Sequence, residues 1–408
     1  MSIEISLESH TSGIAEVPGF TCSGVPCDVR QKGDKKRLDV ALIYSDIPCA
    51  AAGVFTLNDI CAAPVQVCRK HLQSGGPFHA IIANSGNANA ATGEEGYANA
   101  VAMVEQTAHL LGHSSESVFV CSTGRIGRKM PMQAIKEGIK AAVDVAESNT
   151  QSGINAATAI LTSDTRPKTV TARFTVDGKT ITVSAMGKGA GMIQPNMATM
   201  FALIATDMLI EQPLLQEMLK KATDLSFNRI SIDGDMSTND TVLVLANGLS
   251  GVEPASQEIK DAFQSALTEV CVSLAKMMVG DGERISKVVD LRILGAKTEE
   301  DADKVARAIG NSLLVKTSWF GSDPNWGRVI HAAGYARVGV QESKLNMFYN
   351  DVPVLVNGVA QDAFLSKWKE VVSQREFSIR LDLGLGEASY NLWTTDLTTG
   401  YVDFNKSE

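Results

Sequence analysis

The chain has 408 residues, of which 44% are hydrophobic and 20% charged, and its formal net charge is −9 at pH 7. No apolar run is long enough to span a membrane, and the acidic balance argues against nucleic acid as the main partner, because phosphate binding needs clustered Lys and Arg. The N-terminal segment MSIEISLESH lacks the features of a signal or transit peptide, so we expect a cytoplasmic protein.

Helical and strand periodicities alternate along the first half of the chain. Apolar residues at three- and four-residue steps predict a helix over residues 97–111, and a second helix that begins at Pro131. From Thr169 the period changes to two, and Asp177 and Gly178 separate two alternating runs. This pattern predicts a β-hairpin with a two-residue turn.

The hairpin leads into GKGAGMIQPNMATM, residues 187–200, which its glycines and Pro195 mark as a loop. A continuous apolar run over residues 200–205 then predicts a buried strand. Glycines after a strand are also found in dinucleotide-binding loops, but those loops are followed by a helix and this one is not. We therefore interpret the segment as a tight structural loop, with Thr199 standing where it enters the strand.

The second half predicts a helix with one buried face over residues 259–277 and a strand over residues 285–293. A further helix opens on Thr298 with Asp301 as its capping partner, and the tail from Met347 is rich in strands. Strands and helices interleave and no linker composition separates them. The sequence therefore predicts an α/β or α+β protein whose halves share layers.

Thr199 has a chemical interpretation as well as a structural one. A threonine hydroxyl is a poor nucleophile unless a base accepts its proton, and an N-terminal threonine supplies its own α-amine, whose pKa is about 8. The chain would have to break between Ala198 and Thr199, and the small Ala198 leaves room for attack on its carbonyl. On these residues alone, a purely structural threonine is the commoner interpretation.

The segment KGAGMIQPNMATM resembles the autocleavage segment of the ornithine acetyltransferases, the glutamate N-acetyltransferases of arginine biosynthesis. Five further segments resemble blocks of that family in the same order, and together they cover the chain from near Gly19 to its end. They are ALIYSDIPCAAAGVFT, IIANSGNANAATG, CSTGRIG, SFNRISIDGDMSTNDT and KTSWFGSDPNWGR.

The resemblance implies a precursor that cleaves itself into an α chain, residues 1–198, and a β chain, residues 199–408. The two would interleave in one compact αββα-type sandwich, of the kind found in self-processing aminopeptidases, and two such pairs would form an α2β2 heterotetramer. Thr199 would take the acetyl group of N2-acetyl-L-ornithine and pass it to L-glutamate. The resemblance implies no cofactor. Acetyl-CoA is a further candidate acetyl donor, and the sequence does not decide whether it is used.

The resemblance also implies roles for individual residues. Thr123 and Gly124 match an oxyanion-hole pair, although the pair alone would indicate an ordinary polar turn. The substrate-binding positions match Thr162, Lys188, Thr199, Glu283 and Asn405.

The ammonium of Lys188 suits a substrate carboxylate, and the carboxylate of Glu283 suits the cationic amine of ornithine. Without the resemblance, Lys188 would be a solvated lysine on a glycine loop and Glu283 a solvent-facing residue at a helix end. Asn405 would lie in a frayed terminus.

Other polar residues receive structural interpretations. The cluster Asp233, Asp235, Asn239 and Asp240 lacks the spacing of a calcium loop, so we expect turn and hydrogen-bonding roles that shape the pocket. The block DPNWGR has turn residues beside a helix start, and His331 is expected to be packed among apolar neighbours.

The seven cysteines and six histidines show no metal-ligand spacing, which predicts free, mostly buried thiols and no metal site. Two departures from the family pattern accompany the resemblance. Ser163 stands where relatives often have threonine. At the tail, which runs to Glu408, either Ser407 substitutes for a terminal hydroxyl or the end is shortened.

Two other functions remain open from the sequence. A self-processing aminopeptidase or amidase of the same fold would deliver the acyl group to water instead of glutamate. A binding protein that kept the fold without catalysis would have no chemical need for Ala198, Thr199, Thr123, Gly124 and Lys188 together, which disfavours it.

Overall fold

The computed structural model describes residues 3–194 and 200–406, with the side chain of Asn405 excepted. The predicted cleavage point, Ala198 and Thr199, lies outside the described residues. Within them the chain forms sixteen strands and eleven α-helices, which confirms the mixed α+β class.

The strands and helices are numbered separately in chain order. The strands are β1 (Ile5–Ser9), β2 (Thr21–Val25), β3 (Val40–Phe55), β4 (Phe78–Asn87), β5 (Val118–Arg125), β6 (Lys168–Val176), β7 (Lys179–Lys188), β8 (Phe201–Thr206), β9 (Ile230–Ser231), β10 (Thr241–Ala246), β11 (Val288–Ala296), β12 (Asn346–Tyr349), β13 (Val352–Val356), β14 (Val359–Ala360), β15 (Glu376–Asp382) and β16 (Ala388–Thr395). The helices are α1 (Ala63–Gln73), α2 (Gly93–Leu111), α3 (Met132–Asp144), α4 (Thr150–Ala159), α5 (Gln212–Asp224), α6 (Gln257–Val279), α7 (Glu299–Gly310), α8 (Leu313–Phe320), α9 (Trp326–Tyr335), α10 (Leu365–Ser373) and α11 (Thr399–Asn405).

The described residues divide into two compact units. The first comprises the chain up to Gly189, residues 200–228 and Met236–Met278. The second comprises residues 190–194, Arg229–Asp235 and the chain from Val279 onward. None of the described helices is long and apolar enough to cross a membrane.

The described part of the first unit contains a nine-stranded sheet with the order β1-β6-β7-β8-β10-β3-β4-β5, and β2 pairs with β3 beside this path. Strand β3 belongs to both halves of the sheet. Residues 40–44 pair with β2 and β4, whereas residues 50–55 pair with β10, and the register shifts between Tyr44 and Cys49. The strand therefore passes from one half of the sheet to the other.

One hydrophobic core lies between these halves. It includes Phe201 and Leu203 of β8 together with Ile81 of β4 and Phe119 of β5. Helix α1 packs on β5 in one half, and in the other half α5 packs on β3, where the side-chain amide of Gln216 bonds the backbone of Gly53. Two sheet layers face each other with helices outside them, which confirms the αββα arrangement within this unit.

The predicted hairpin is formed by β6 and β7. Asp177 and Gly178 both have positive φ, 49° and 78°, as a two-residue type I′ turn requires. Gly187 and Lys188, which the sequence placed in the loop, are instead the last residues of β7, because they continue the pairing with β8. The loop prediction was wrong for these two positions.

Strand β8 follows directly on the predicted cleavage segment. It pairs antiparallel with β7, from Val183 opposite Thr206 to Lys188 opposite Phe201, and parallel with β10. A cut before residue 199 would therefore leave two chains that share the ladder between β7 and β8. The cut itself and the fragments 1–198 and 199–408 stay predictions.

The second unit contains a seven-stranded sheet in its described residues, with the order β14-β13-β12-β15-β11-β16-β9. Helix α7 begins after Thr298, whose hydroxyl accepts a hydrogen bond from the amide of Asp301, as predicted. Strand β11 begins at Val288 and ends at Ala296, three residues later at each end than the sequence predicted. Its buried residues pack against α7 in a core that also contains Trp319 and Trp368.

Candidate functional site

Thr123 and Gly124 lie at the carboxyl end of β5, in the first unit. The turn interpretation was wrong, because both residues continue the parallel pairing with β4, opposite Ser85 and Gly86. Thr123 is buried, and Gly124 has a φ of 133°. A Cβ at residue 124 would lie 2.4 Å from the carbonyl carbon of Gly86, so the close approach of the two strand ends requires glycine.

Asn239 fixes this strand end against β10. Its side-chain amide donates to the carbonyls of Ala88, at 2.6 Å, and Ser122, at 2.7 Å. The next residue, Asp240, accepts a hydrogen bond from the amide of Met200. These contacts confirm the hydrogen-bonding role predicted for both residues.

Lys188 is buried at the end of β7, so the alternative of a solvated loop lysine was wrong. Its ammonium lies 3.9 Å from Asp164, whose carboxylate also accepts from the ammonium of Lys168, at 2.7 Å, and the amide of Gly189, at 2.7 Å. The amide of Thr162 donates to the same carboxylate at 3.2 Å. Two predicted substrate-binding residues, Thr162 and Lys188, are thus brought together by Asp164.

The sequence interpretation missed Asp164. Burial alone would raise its pKa, but the charges of Lys188 and Lys168 and the amide of Gly189 lower the pKa to about 2. Asp164 is therefore a carboxylate at neutral pH and balances the charge of two buried lysines. In the sequence, Asp164 stands in the segment TSDT, two residues after Thr162 and four before Lys168. Neither spacing shows that the carboxylate is buried.

We expect Asp164→Asn to lower the free energy of unfolding at pH 7 by about 3–5 kcal/mol, because it leaves two buried ammonium groups without their carboxylate. In the folded protein the pKa of Asp164 is below the ordinary value of 3.8. The difference in free energy of unfolding is therefore complete above pH 3.8 and is lost as the pH falls toward 2. Urea unfolding of both proteins between pH 7 and pH 2 measures this difference.

The matched control is Asp144→Asn. Asp144 pairs with Lys140 at the same four-residue spacing as Asp164 and Lys168, but on an exposed surface, so its loss should cost less than about 1 kcal/mol. Equal effects of the two substitutions would contradict the role of Asp164 as a buried counter-ion.

Glu283 belongs to the second unit, where it is half-buried and not the solvent-facing residue of the alternative interpretation. Its amide donates to the carbonyl of Ala190 at 2.8 Å. Its carboxyl group lies so close to Gly191 that a Cβ there would be 2.6 Å from the carboxyl carbon. A side chain at residue 191 would therefore displace this carboxylate.

Asp233 holds the segment that leads toward the predicted cleavage point. Its carboxylate accepts from the amides of Met192, at 2.5 Å, and Ile193, at 2.8 Å, and from the hydroxyl of Tyr401, at 3.2 Å. Burial raises the pKa of Asp233, and the amides of Ile193 and Met192 oppose this rise. Tyr401 is on α11, the helix that ends at Asn405, whose side chain lies outside the described part.

Lys316 is a buried lysine in the second unit that the sequence interpretation also missed. It donates to the hydroxyl of Thr394, at 3.1 Å, and the carbonyl of Thr395, at 2.7 Å. Burial lowers its pKa to about 7, and the charges of Asp233 and Asp396 oppose this effect. In the sequence, this lysine stands among the apolar residues of the helix LLVKTSWF.

Three smaller predictions have clear outcomes. His331 is exposed and makes an edge contact with Tyr335, so its predicted packing was wrong, because α9 buries the face that carries Val329, Ala332 and Ala333. The DPNWGR block does begin a helix, with Asn325 as the N-cap. The cysteines are free thiols and five of the seven are buried, as predicted.

Several predicted residues of the first unit meet at one end of its strands. Lys188 of β7 stands opposite Phe201 of β8, and Phe201 in turn stands opposite Thr241 of β10. Asn239, two residues before Thr241, bonds the carbonyl next to Thr123. The carboxyl ends of β5 and β7 therefore lie near the amino ends of β8 and β10. The amino end of β8 is the one that follows Thr199 in the sequence.

The chain matches the model of the ArgJ family over residues 21–407. It is 43% identical over 406 residues to the arginine biosynthesis bifunctional protein ArgJ of Symbiobacterium thermophilum, which covers 98% of this chain and 99% of that protein. It is 42% identical over 403 residues to the glutamate N-acetyltransferase of Methanocaldococcus jannaschii. That match covers 96% of this chain and 97% of that protein.

Two solved structures are each similar to about half of the chain. The ArgJ crystal structure from Bacillus halodurans is 35% identical, covers 48% of this chain and 99% of that chain, and superposes with a TM-score of 0.44. The ornithine acetyltransferase of Mycobacterium tuberculosis in complex with ornithine is 36% identical, with a TM-score of 0.42. That match covers 47% of this chain and 98% of that chain.

Proposed function

The chain belongs to the ArgJ family, and from that premise we propose that it moves acetyl from N2-acetyl-L-ornithine to L-glutamate through an ester on Thr199. It is an acyltransferase of arginine biosynthesis that acts on small-molecule substrates. The observation that carries the proposal for the site is the register that sets Lys188 opposite Phe201. This register brings a buried ammonium to the end of β8 that follows Thr199 in sequence.

The proposed chemistry begins with cleavage of the chain. The hydroxyl of Thr199 attacks the carbonyl of Ala198, and the acyl group moves from nitrogen to oxygen, which breaks the peptide bond and frees the α-amine of Thr199. Water then hydrolyses the ester, which releases the carboxylate of Ala198 and restores the hydroxyl of Thr199. The β7–β8 ladder supports continued association of the fragments 1–198 and 199–408, since it joins a strand of each. We extend the proposal to an α2β2 assembly in the cytoplasm.

In the transfer reaction the α-amine of Thr199 accepts the proton of its own hydroxyl, which attacks the acetyl carbonyl. Donors at Thr123 and Gly124 stabilise the oxyanion, and the α-ammonium returns its proton to the amine of ornithine as that amine leaves. The amine of glutamate then attacks the acetyl ester, and its proton passes through the α-amine to the departing hydroxyl of Thr199. Lys188 binds a substrate carboxylate, Glu283 binds the side-chain amine of ornithine, and Thr162 and Asn405 complete the binding residues. No cofactor takes part, and acetyl-CoA is proposed as a second donor.

Mass measurement of the two fragments tests the intermediate. After incubation with N-acetylornithine alone, we expect one added acetyl group on the fragment that begins at Thr199 and none on fragment 1–198. Added glutamate should remove this acetyl group as N-acetylglutamate. Acetyl on fragment 1–198 would refute the assignment of the nucleophile.

Acceptors and donors are then compared on the same protein. Transfer to water at the rate of transfer to glutamate would indicate an amidase instead of a transferase. Acetylation of the same fragment by acetyl-CoA would extend the donor range, and its absence would restrict the enzyme to acetylornithine.

A further inference from the structure

The two substrates of the proposed transfer carry side chains of opposite charge. Ornithine ends in an ammonium, which suits Glu283, whereas glutamate ends in a carboxylate that an acidic side chain would repel. Lys188 suits the α-carboxylate, which both substrates have. None of the other candidate substrate-binding residues is a cation, so the side-chain carboxylate of glutamate needs a further cationic partner in the protein.

Arg30 and Arg37 are two arginines of the first unit that contact the end of β4 and the segment after α4. Arg37 is half-buried, and its Nη2 donates to the hydroxyl of Ser85, at 3.2 Å, and to the carbonyl of Leu161, at 2.5 Å. Arg30 is exposed, and its Nη2 donates to the carbonyl of Thr162 at 3.4 Å. The two guanidinium groups therefore bond consecutive carbonyls of the chain.

The same arginines lie beside the candidate oxyanion hole. In the pairing of β4 with β5, Ser85 stands opposite Thr123 and Gly86 stands opposite Gly124. The guanidinium of Arg37 bonds the first of these β4 residues. The stem of the other arginine covers the second, because a Cβ at residue 86 would lie 2.9 Å from its Cγ.

Thr162 connects this arginine pair with Lys188. The carbonyl of Thr162 accepts from Arg30, and its amide donates to Oδ2 of Asp164 at 3.2 Å. The same oxygen lies 3.9 Å from the ammonium of Lys188. One residue therefore separates the guanidinium of Arg30 from the acid beside Lys188, and this short spacing suits a small molecule with a carboxylate at each end.

The charges of the two arginines are not neutralised by direct contact within the described residues. Neither forms an ion pair there, and Nη1 of Arg37 is buried without a hydrogen-bond partner. Burial and the charge of Arg30 lower the pKa of Arg37, and the charges of Asp39 and Asp34 oppose this effect. Both acids accept hydrogen bonds from backbone amides instead of from a guanidinium group.

The arginines belong to the basic segment RQKGDKKR, residues 30–37, which has five cationic residues and one acid in a chain of net charge −9. Basic side chains of such a segment are often simply solvated. Here the two arginines are held by bonds to strand and loop backbone, and their like charges repel each other. A bound carboxylate would relieve this repulsion, and the guanidinium fork matches its two oxygens.

We propose that Arg30 and Arg37 bind the side-chain carboxylate of the acceptor glutamate. Arg30 contacts the carboxylate, since its side chain is exposed, and Arg37 is a positioning residue that adds positive charge and anchors the pair to β4. N-acetylornithine has no second carboxylate and does not use the pair. This inference rests on the proposed function, since it needs glutamate as the acceptor.

The experiment compares L-glutamate with L-glutamine, which has the same shape but no side-chain charge, as acceptors for Arg30→Gln. The substituted amide can still donate to the carbonyl of Thr162. The acetylated protein is first formed from N-acetylornithine, and its decay is then timed with either acceptor. We expect kcat/KM for glutamate to fall about ten- to a hundredfold through KM, because one charge-assisted contact is lost. Formation of the acetylated protein and transfer to glutamine should keep their wild-type rates.

Arg37→Lys tests the second member of the pair. Lysine keeps the charge but loses the fork that bonds Ser85 and Leu161, so the loss for glutamate should be smaller, about two- to tenfold. Lys32→Gln is the matched control, because it removes one charge from an exposed residue of the same segment. It should keep the wild-type preference for glutamate over glutamine. Equal losses in Lys32→Gln and Arg30→Gln would overturn the proposal, since they would reflect net charge alone.

Three other outcomes of Arg30→Gln would overturn the proposal. A wild-type preference for glutamate would show that the carboxylate is bound elsewhere, and equal losses for both acceptors would indicate a purely structural role. Slower acetylation by acetyl-CoA, with unchanged transfer to glutamate, would assign the arginines to the phosphates of that donor. Failure of the proposed function is distinguishable, because the wild-type protein itself would then transfer no acetyl to glutamate.

Discussion

Thr199→Ala should yield one uncut chain without acetyltransferase activity. The substitution removes the oxygen that attacks Ala198 and, in the transfer reaction, the acetyl carbonyl. Without cleavage no α-amine is formed, so the nucleophile and its base are lost together, and transfer should fall by roughly 10⁴-fold or more. Denaturing electrophoresis, N-terminal sequencing and a transfer assay measure the three consequences.

Thr199→Ser is the matched control, because serine keeps a hydroxyl at the same atom and loses only a methyl group. It should still cleave and transfer acetyl, although more slowly. A Thr199→Ala protein that is cut at the same bond, or that transfers acetyl at the wild-type rate, would show that another residue is the nucleophile. An uncut but active variant would separate cleavage from catalysis.

The local patterns of the sequence were sufficient for the elements that flank the site. The Asp177 and Gly178 turn was predictable because both positions need residues that tolerate positive φ. Strand β8 was predictable because an uninterrupted apolar run requires cover on both faces. The end of β7 was missed, because glycine and lysine are poor strand formers and only the pairing with β8 extends the strand through Lys188.

The partners of the site residues could not be predicted in the same way. Asp164 and Lys188 are far apart in sequence, and their contact depends on how β7 returns past the segment after α4. Lys316 is buried because its helix is covered on the side that carries it, and helical periodicity within one short apolar segment does not show this. The resemblance supplied Thr123, Lys188 and Glu283 as candidates, but not Asp164, the acid beside Lys188.

The close approach of β4 and β5 explains why the oxyanion-hole candidate contains glycine, and it leads to a second large effect. In Gly124→Ala the added Cβ would lie 2.4 Å from the carbonyl carbon of Gly86 and 2.5 Å from the amide nitrogen of Asn87. Both atoms belong to the backbone and cannot rotate away. We therefore expect the two strand ends to separate, which would displace Thr123 and the amide of residue 124.

The loss of one oxyanion-hole donor typically lowers kcat about a hundred- to a thousandfold, and we expect a decrease of that size in Gly124→Ala with little change in KM. Gly127→Ala is the matched control, because Gly127 also has a positive φ, 71°, but a Cβ there meets no atom within 4 Å. It should cost about 1 kcal/mol in backbone strain and leave kcat unchanged. If both variants retained wild-type kcat, the tight pairing of Gly86 and Gly124 would serve only the fold, and the oxyanion would have to be bound elsewhere.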